Sequence, residues 1–159
     1  MKIIFQNIEE HFLFPSTLIA SKTQQEVLTI LGSCVAVCLY DERMRWGGIN
    51  HYMLPWWDGK GVPSPKYGDV AIERLVEKMI MMGSQKHNLI AKVFGGASQH
   101  LAGESGMQIG SRNVVTAEKI LGSIGINIVA KNVGGKRGRR IVFHSGTGQV
   151  FMKYLDGLK

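Results

Sequence analysis

Apolar and polar residues are distributed along this chain with two distinct periods. Over residues 26–31, 35–41, 89–94, 126–131, 139–144 and 149–154, short apolar and β-branched runs are bounded by Gly, Asn, Asp or Ser, the pattern of strands. Residues 48–54 read as the hairpin partner of 35–41, with the charged stretch Asp41-Glu42-Arg43-Met44-Arg45 as their turn. A further short strand is expected at residues 2–5. Between residues 69 and 82 the period lengthens: Ile72, Leu75, Val76, Met79 and Ile80 recur at helical steps, and Gly83 suits the left-handed residue that ends a helix. The methionines Met79, Met81 and Met82 read as core filler. A second helix is expected to start at a Ser111 cap and to run through Val114, Val115, Glu118 and Leu121 to Gly122. Two stretches carry neither period. Residues 56–66 hold Pro, Gly, Asp and Ser and read as an exposed loop, with Trp56 and Trp57 either at the rim of the hairpin end or part of a contact surface. Residues 97–110 read as a long Gly/Ser-rich loop, of a length that is often functional.

The expected architecture is therefore one mixed α+β domain over residues 1–159, rich in antiparallel strands and carrying two substantial helices. Its 159 residues, 45% of them apolar, suffice for one sizeable core and not for two ordinary domains. The apolar start after Lys2 is broken by Gln6, Asn7, Glu9 and Glu10, so no secretory signal is read there. The uncharged run 27–40 is too short to cross a bilayer. Cys34 and Cys38 fall on one strand roughly 13 Å apart, beyond disulfide reach, and are expected as free thiols in a reducing, cytoplasmic setting. A net charge of +7 implies an anionic partner. The densest cluster, Lys136-Arg137-Gly138-Arg139-Arg140, reads either as a solvated turn or as a docking patch. Without interleaved aromatics it gives no support to a nucleic-acid reader.

Most catalytic signatures are missing. The histidines His11, His51, His87, His100 and His144 show no metal-ligand spacing. Gly135-Lys136 lacks the rest of a phosphate loop, and Gly103-Glu104-Ser105-Gly106 is not a nucleophile elbow. Cys34 and His51 remain. With the hairpin loop centred between Glu42 and Arg43, paired residue numbers sum to 85, so Tyr40 faces Arg45, Cys38 faces Gly47 and Cys34 faces His51. Directly opposed residues share a sheet face with Cβ atoms roughly 5 Å apart, within reach for a nucleophile and its base. A one-residue slip would separate them. Taken singly, each residue has a plainer reading: a thiol in an apolar strand is usually packing, and a lone histidine is usually structural. Cys38, deeper in the strand with no histidine opposite, reads as core.

The segments Leu31-Gly32-Ser33-Cys34-Val35-Ala36-Val37-Cys38-Leu39-Tyr40-Asp41 and Gly48-Ile49-Asn50-His51-Tyr52-Met53-Leu54-Pro55 closely resemble the CheD family of chemoreceptor glutamine deamidases in bacterial chemotaxis. The resemblance continues through Tyr67-Gly68-Asp69, Val93-Phe94-Gly95-Gly96-Ala97, Ile109-Gly110-Ser111-Arg112-Asn113, Gly134-Gly135-Lys136-Arg137-Gly138-Arg139-Arg140 and Thr147-Gly148, and so covers nearly the whole chain. It implies a β-sandwich-like fold of mixed sheets with flanking helices, similar to a deamidating toxin domain. It also implies Cys34 as nucleophile, His51 as base and a threonine as third member. Thr29 is the candidate, with Thr23 the nearest other threonine upstream. No metal or organic cofactor is implied. The turn at Ser33–Cys34 is expected to offer backbone N–H groups to the oxyanion. The implied substrates are glutamines in the acidic helical region of methyl-accepting chemoreceptors, with Arg137, Arg139 and Arg140 steering the docking. A binding role towards a CheC-type chemotaxis phosphatase is the alternative the resemblance carries.

Overall fold

The computed structural model describes residues 8–98 and 103–156, with the backbone alone over residues 103–108. Its elements run β1 (Glu9–Phe12), β2 (Thr17–Ser21), β3 (Gln25–Leu31), β4 (Val35–Asp41), β5 (Trp46–His51), α1 (Gly68–Met82), β6 (Leu89–Gly95), α2 (Gly103–Ile124), β7 (Asn127–Val133), β8 (Arg139–His144) and β9 (Val150–Tyr154). Two mixed sheets result, one of four strands in the order β1-β3-β8-β9 and one of five in the order β2-β5-β4-β6-β7. They stack as a sandwich, and both helices cover the outer face of the five-stranded sheet. The mixed α+β, sandwich-like class expected from the sequence is the one observed. No helix among the described residues is long and apolar enough to cross a membrane.

Strand β4 explains the layering. Val35, Val37 and Leu39 point into the core shared with the helices, whereas Ala36 and Cys38 point into the core between the sheets. Both faces are buried, so the strand is apolar from Val35 to Leu39 instead of alternating. Its neighbour β5 is approached from both sides at glycines. A Cβ at Gly47 would stand 2.7 Å from the Ser145 carbonyl oxygen, and one at Gly48 would stand 2.8 Å from Leu75 Cδ1. The two layers can close on β5 only because those side chains are absent.

Most elements fall where the periods place them, and α1 ends at Gly83 with φ 119° as expected. The stretch 97–110 does not remain a loop. Helix α2 already begins at Gly103, so Ser111 lies inside the helix and not at its cap. Glycine disfavours helix intrinsically, but here it serves packing: a Cβ at Gly110 would lie 2.4 Å from the Ala97 carbonyl oxygen. Strands β1 and β2 escape the sequence pattern because they are short edge strands with little full burial. Strand β5 ends at His51, and only isolated bridges at Tyr52 and Leu54 continue it. The strand expected at residues 2–5 lies outside the described residues.

Arg139 also departs from expectation. Alternation along β8 turns Arg139, Ile141 and Phe143 inward and Arg140 outward, so Arg139 is only 2% exposed. Its guanidinium donates to Asn132 Oδ1 at 2.8 Å and to the carbonyls of Gly134 at 2.8 Å, Gly95 at 3.3 Å and Arg137 at 3.4 Å. That cation ties the β7–β8 turn to β6 and is no part of a docking surface. Arg137 and Arg140 are exposed. Arg139→Ala is therefore expected to cost about 3 kcal/mol or more in urea denaturation, because it strips charged hydrogen bonds from a buried site. Arg140→Ala should stay within about 0.5 kcal/mol.

Candidate active site

The hairpin register differs from the expected one by two residues. Cys38 pairs with Ile49, Leu39 with Gly48, Tyr40 with Gly47 and Asp41 with Trp46, so paired numbers sum to 87. The turn causes the shift. Asp41 Oδ1 accepts the N–H groups of Arg43 at 3.0 Å and Met44 at 2.9 Å, and Arg45 takes a left-handed φ of 61°. That caps a four-residue loop where a tighter one was expected. A shift of two conserves the face on which each side chain lies. His51 therefore lies level with Ala36, and Cys34 stands diagonal to it on the same inter-sheet face. Diagonal partners have Cα atoms about 7–8 Å apart, still within side-chain reach. The ladder is modified at this level: Asn50 Oδ1 accepts the Val37 N–H at 2.9 Å, and the last bridge joins Val35 to Tyr52.

Thr29 reaches His51 from the opposite sheet. It lies on β3, whose residues Val27, Thr29 and Leu31 are buried against the five-stranded sheet. Its hydroxyl stands 2.7 Å from His51 Nδ1 and donates to the Leu13 carbonyl at 2.7 Å. A hydroxyl has one proton, and a carbonyl can only accept. The Thr29 proton therefore goes to Leu13, which makes His51 Nδ1–H the donor to Thr29. The other ring nitrogen, Nε2, then carries the lone pair; it is buried with no hydrogen-bond partner. This is the tautomer a base needs. The loop between β1 and β2 holds both residues, because Ser16 N–H also donates to the His51 carbonyl at 2.7 Å. Thr23 belongs elsewhere, bonded to Ser21 and accepting from Ser145 through its carbonyl.

Burial sets the charge states. Desolvation pulls the His51 imidazole down to about 4, so the ring is neutral near pH 7. Burial likewise raises the Cys34 thiol, opposed only in part by its own backbone N–H. The resting pair is thus thiol and neutral imidazole. Cys34 is half-buried, whereas Cys38 is enclosed and its thiol is pushed further up by desolvation. Cys38 is core packing.

The Ser33–Cys34 turn is braced by residues that sequence reasoning passed over. Gly96 N–H donates to the Cys34 carbonyl at 2.8 Å, and Ala97 N–H donates to the Gly32 carbonyl at 2.9 Å. A Cβ at Gly95 would lie 2.2 Å from the Cys34 carbonyl oxygen. The signal was present as the Gly95-Gly96 pair ending a strand. Asn113, Asn50 and the Leu13 carbonyl had no comparable local signal. Trp57 is fixed by Asp69 and Lys60, and Trp56 is 41% exposed in the same loop. Among the described residues, no group of three or more His, Cys, Asp or Glu side chains could hold a metal ion.

Comparisons with known proteins bear on the whole chain. A family model described as CheD chemotactic sensory transduction matches residues 53–154. That match begins just after His51, so it is independent of the Cys34–His51 arrangement. The chain is 44% identical over 149 residues to a "Probable chemoreceptor glutamine deamidase CheD" of Sulfurimonas denitrificans, covering 93% of this chain and 96% of the relative. A relative of the same printed name from Trichlorobacter lovleyi is 44% identical over 145 residues, covering 91% and 90%. A chemoreceptor glutamine deamidase CheD of Thermotoga maritima is 40% identical over 127 residues, covering 80% of each.

Two consequences of the electrostatics can be measured. Unfolded His51 binds a proton below about pH 6.5, but the native ring resists it until about pH 4. Stability carried by the neutral ring is therefore present above pH 6.5 and lost on acidification from about 6.5 to 4, by about 3 kcal/mol. Urea titrations across that window should show the loss, and His51→Gln should flatten it. Alkylation of Cys34 by iodoacetamide, read by peptide mass spectrometry, should still be rising with pH above 9, because burial holds the thiol above its ordinary range.

Proposed function

The chain belongs to the CheD family, and on that premise we propose that it is a protein-glutamine deamidase acting on chemoreceptors, with Cys34 as nucleophile and His51 as base. The observation that carries this reading is the Thr29–His51 hydrogen bond at 2.7 Å, which leaves Nε2 unprotonated on the sheet face that bears Cys34. The names of the relatives supply the substrate class.

In this reading the glutamine side chain reaches the half-buried thiol. As Sγ attacks the amide carbon, the thiol proton moves to His51 Nε2, and the C=O pair becomes an oxyanion. Concerted transfer suits a resting pair in which neither partner is charged. In this reading, backbone N–H groups at the Ser33–Cys34 turn donate to the developing oxyanion. Nε2–H then protonates the departing nitrogen, the C–N bond breaks, and ammonia leaves a thioester. Water gives a proton to Nε2 and its oxygen to the acyl carbon. The C–S bond breaks, and the thiol recovers its proton, leaving glutamate. The imidazolium formed twice in the cycle is supported at Nδ1 by Thr29, itself anchored on Leu13. No metal or organic cofactor takes part. A long, unbranched glutamine side chain can enter where a backbone amide cannot, which fits a nucleophile set at the edge of a sandwich.

Receptor helices rich in acidic residues would meet the exposed cations Lys136, Arg137 and Arg140 through long-range attraction, the site of action being cytoplasmic. A nucleic-acid reading would rest on chain-wide charge alone, which does not distinguish it from an acidic receptor.

Incubation with a chemoreceptor cytoplasmic fragment, with ammonia release and Gln-to-Glu conversion mapped by mass spectrometry, tests the proposal. Conversion should fall at least about 1,000-fold with Cys34→Ala and stay near wild type with Cys38→Ala. Binding without conversion by the wild type would instead favour an adaptor, such as a regulator of a CheC-type phosphatase.

A further inference from the structure

The nucleophile turn and the exit of the base strand lie beyond the last backbone bridge between β4 and β5. That bridge joins Val35 to Tyr52. Cys34 precedes it and Met53 follows it, so no ladder hydrogen bond joins the two segments there. One side chain takes the place of the missing rung. Asn113, fully buried on α2, donates through Nδ2 to the Ser33 carbonyl at 2.9 Å and to the Met53 carbonyl at 3.0 Å. Both acceptors are carbonyls, so only the NH2 end of the amide can serve them. Ser33 is the residue before Cys34, and Met53 lies two residues after His51.

The helix is keyed to the same place by a second link. The Tyr52 hydroxyl donates to the Asn113 carbonyl and faces the Ala117 N–H. Those two groups pair with each other in a regular helix, so Tyr52 engages α2 at the turn that carries Asn113. Three consecutive residues of the base strand, His51, Tyr52 and Met53, thus face Thr29, the α2 backbone and the Asn113 amide in turn.

An unmet acceptor sets this amide apart from ordinary core packing. Asn113 Oδ1 is buried with no hydrogen-bond partner. Leaving such a group unpaired costs about 1–3 kcal/mol. The amide nonetheless stands where it joins the two chain segments of the candidate site. We propose that Asn113 is a positioning residue that sets the Cys34 turn against His51; this rests on the Cys-His reading above. It touches neither substrate nor reacting atoms and acts through the Ser33 and Met53 carbonyls.

The consequences separate positioning from mere stability. Asn113→Ala removes both donors. Asn113→Asp keeps the shape but leaves at most one donor when protonated and none when ionised. With the receptor fragment as substrate, kcat of Asn113→Ala should fall about 100-fold, the scale of a misplacement near 1 Å, with KM held within about twofold. Asn113→Asp should add a descending limb to kcat as pH rises through its carboxyl, a limb the wild type lacks. Cys34, released from its half-buried turn, should meanwhile alkylate at least about threefold faster with iodoacetamide, with buried Cys38 as the internal reference. Faster trapping together with slower turnover is not what simple destabilisation produces in the folded fraction. The inference is overturned if both folded variants keep kcat and Cys34 alkylation within about threefold of wild type, whatever their melting temperatures. It is overturned equally if neither variant folds at 25 °C, because Asn113 would then be a fold residue. Alkylation needs no substrate, so it still decides the matter if the wild type releases no ammonia, the result that would sink the deamidase reading alone.

Discussion

A single hydroxyl proton governs the chemistry of this interior. Thr29 can give its proton to Leu13 or to His51, and the Leu13 carbonyl leaves it no choice. Everything around the imidazole follows from that constraint. Nδ1 must donate and Nε2 must be bare, while burial keeps the ring neutral. The constraint holds only if two sheets close to hydrogen-bond distance at β3 and β5. That closure depends in turn on glycine at position 47, where any side chain would strike the Ser145 backbone and the Phe143 ring. The β1–β2 loop completes the clamp by presenting the Leu13 carbonyl to Thr29 and the Ser16 N–H to the His51 backbone. Ser16 adopts a left-handed φ of 67° to do so, an uncommon conformation for a residue with a side chain.

The burial that keeps the ring neutral also weakens the proposed nucleophile at rest. A thiolate is the reactive form of cysteine, yet desolvation raises Cys34 and depresses His51, so neither partner ionises alone near neutrality. This is a disadvantage for indiscriminate chemistry and an advantage for selective chemistry. In the proposed reaction a neutral pair reacts when a bound amide couples proton transfer to bond formation, and it resists exposed electrophiles otherwise. The cost of charging the imidazole is then met locally by Thr29 and by the negative charge forming beside it.

How much of this was legible depended on whether the determinant was local. The shared face of Cys34 and His51 was readable, because strand parity is a property of sequence spacing, whereas their direct opposition was not. The turn chemistry of Asp41 moved the register by two, and a shift of two leaves each side chain on its face. Arg139 was misread for the opposite reason: its neighbours in sequence are basic and glycine-rich, while its partners come from β6 and the strand before it. The early start of α2 was hidden because its glycines disfavour helix, and only contact with Ala97 shows why Gly110 has no side chain. Thr29 came from family resemblance. Nothing in its own surroundings foretold a partner on another sheet.

Placement of the nucleophile turn raises the same issue of distance. A turn that must hold a sulfur to a fraction of an ångström cannot rely on its own backbone, since β4 starts after Cys34. Support arrives from both flanks: Gly95, Gly96 and Ala97 on the β6 side, and Asn113 on the α2 side. Those flanks are themselves joined, because Gly96 packs against Gly110 and Val114 of α2. The turn is therefore seated in a frame built from the end of β6 and one face of α2, while His51 is seated by β3 and the β1–β2 loop. Cys34 and His51 are thus held by different layers of the fold. Beyond the Val35–Tyr52 bridge, the amide of Asn113 spans Ser33 and Met53, and for that reason the proposed geometry of the pair is sensitive to a residue outside it.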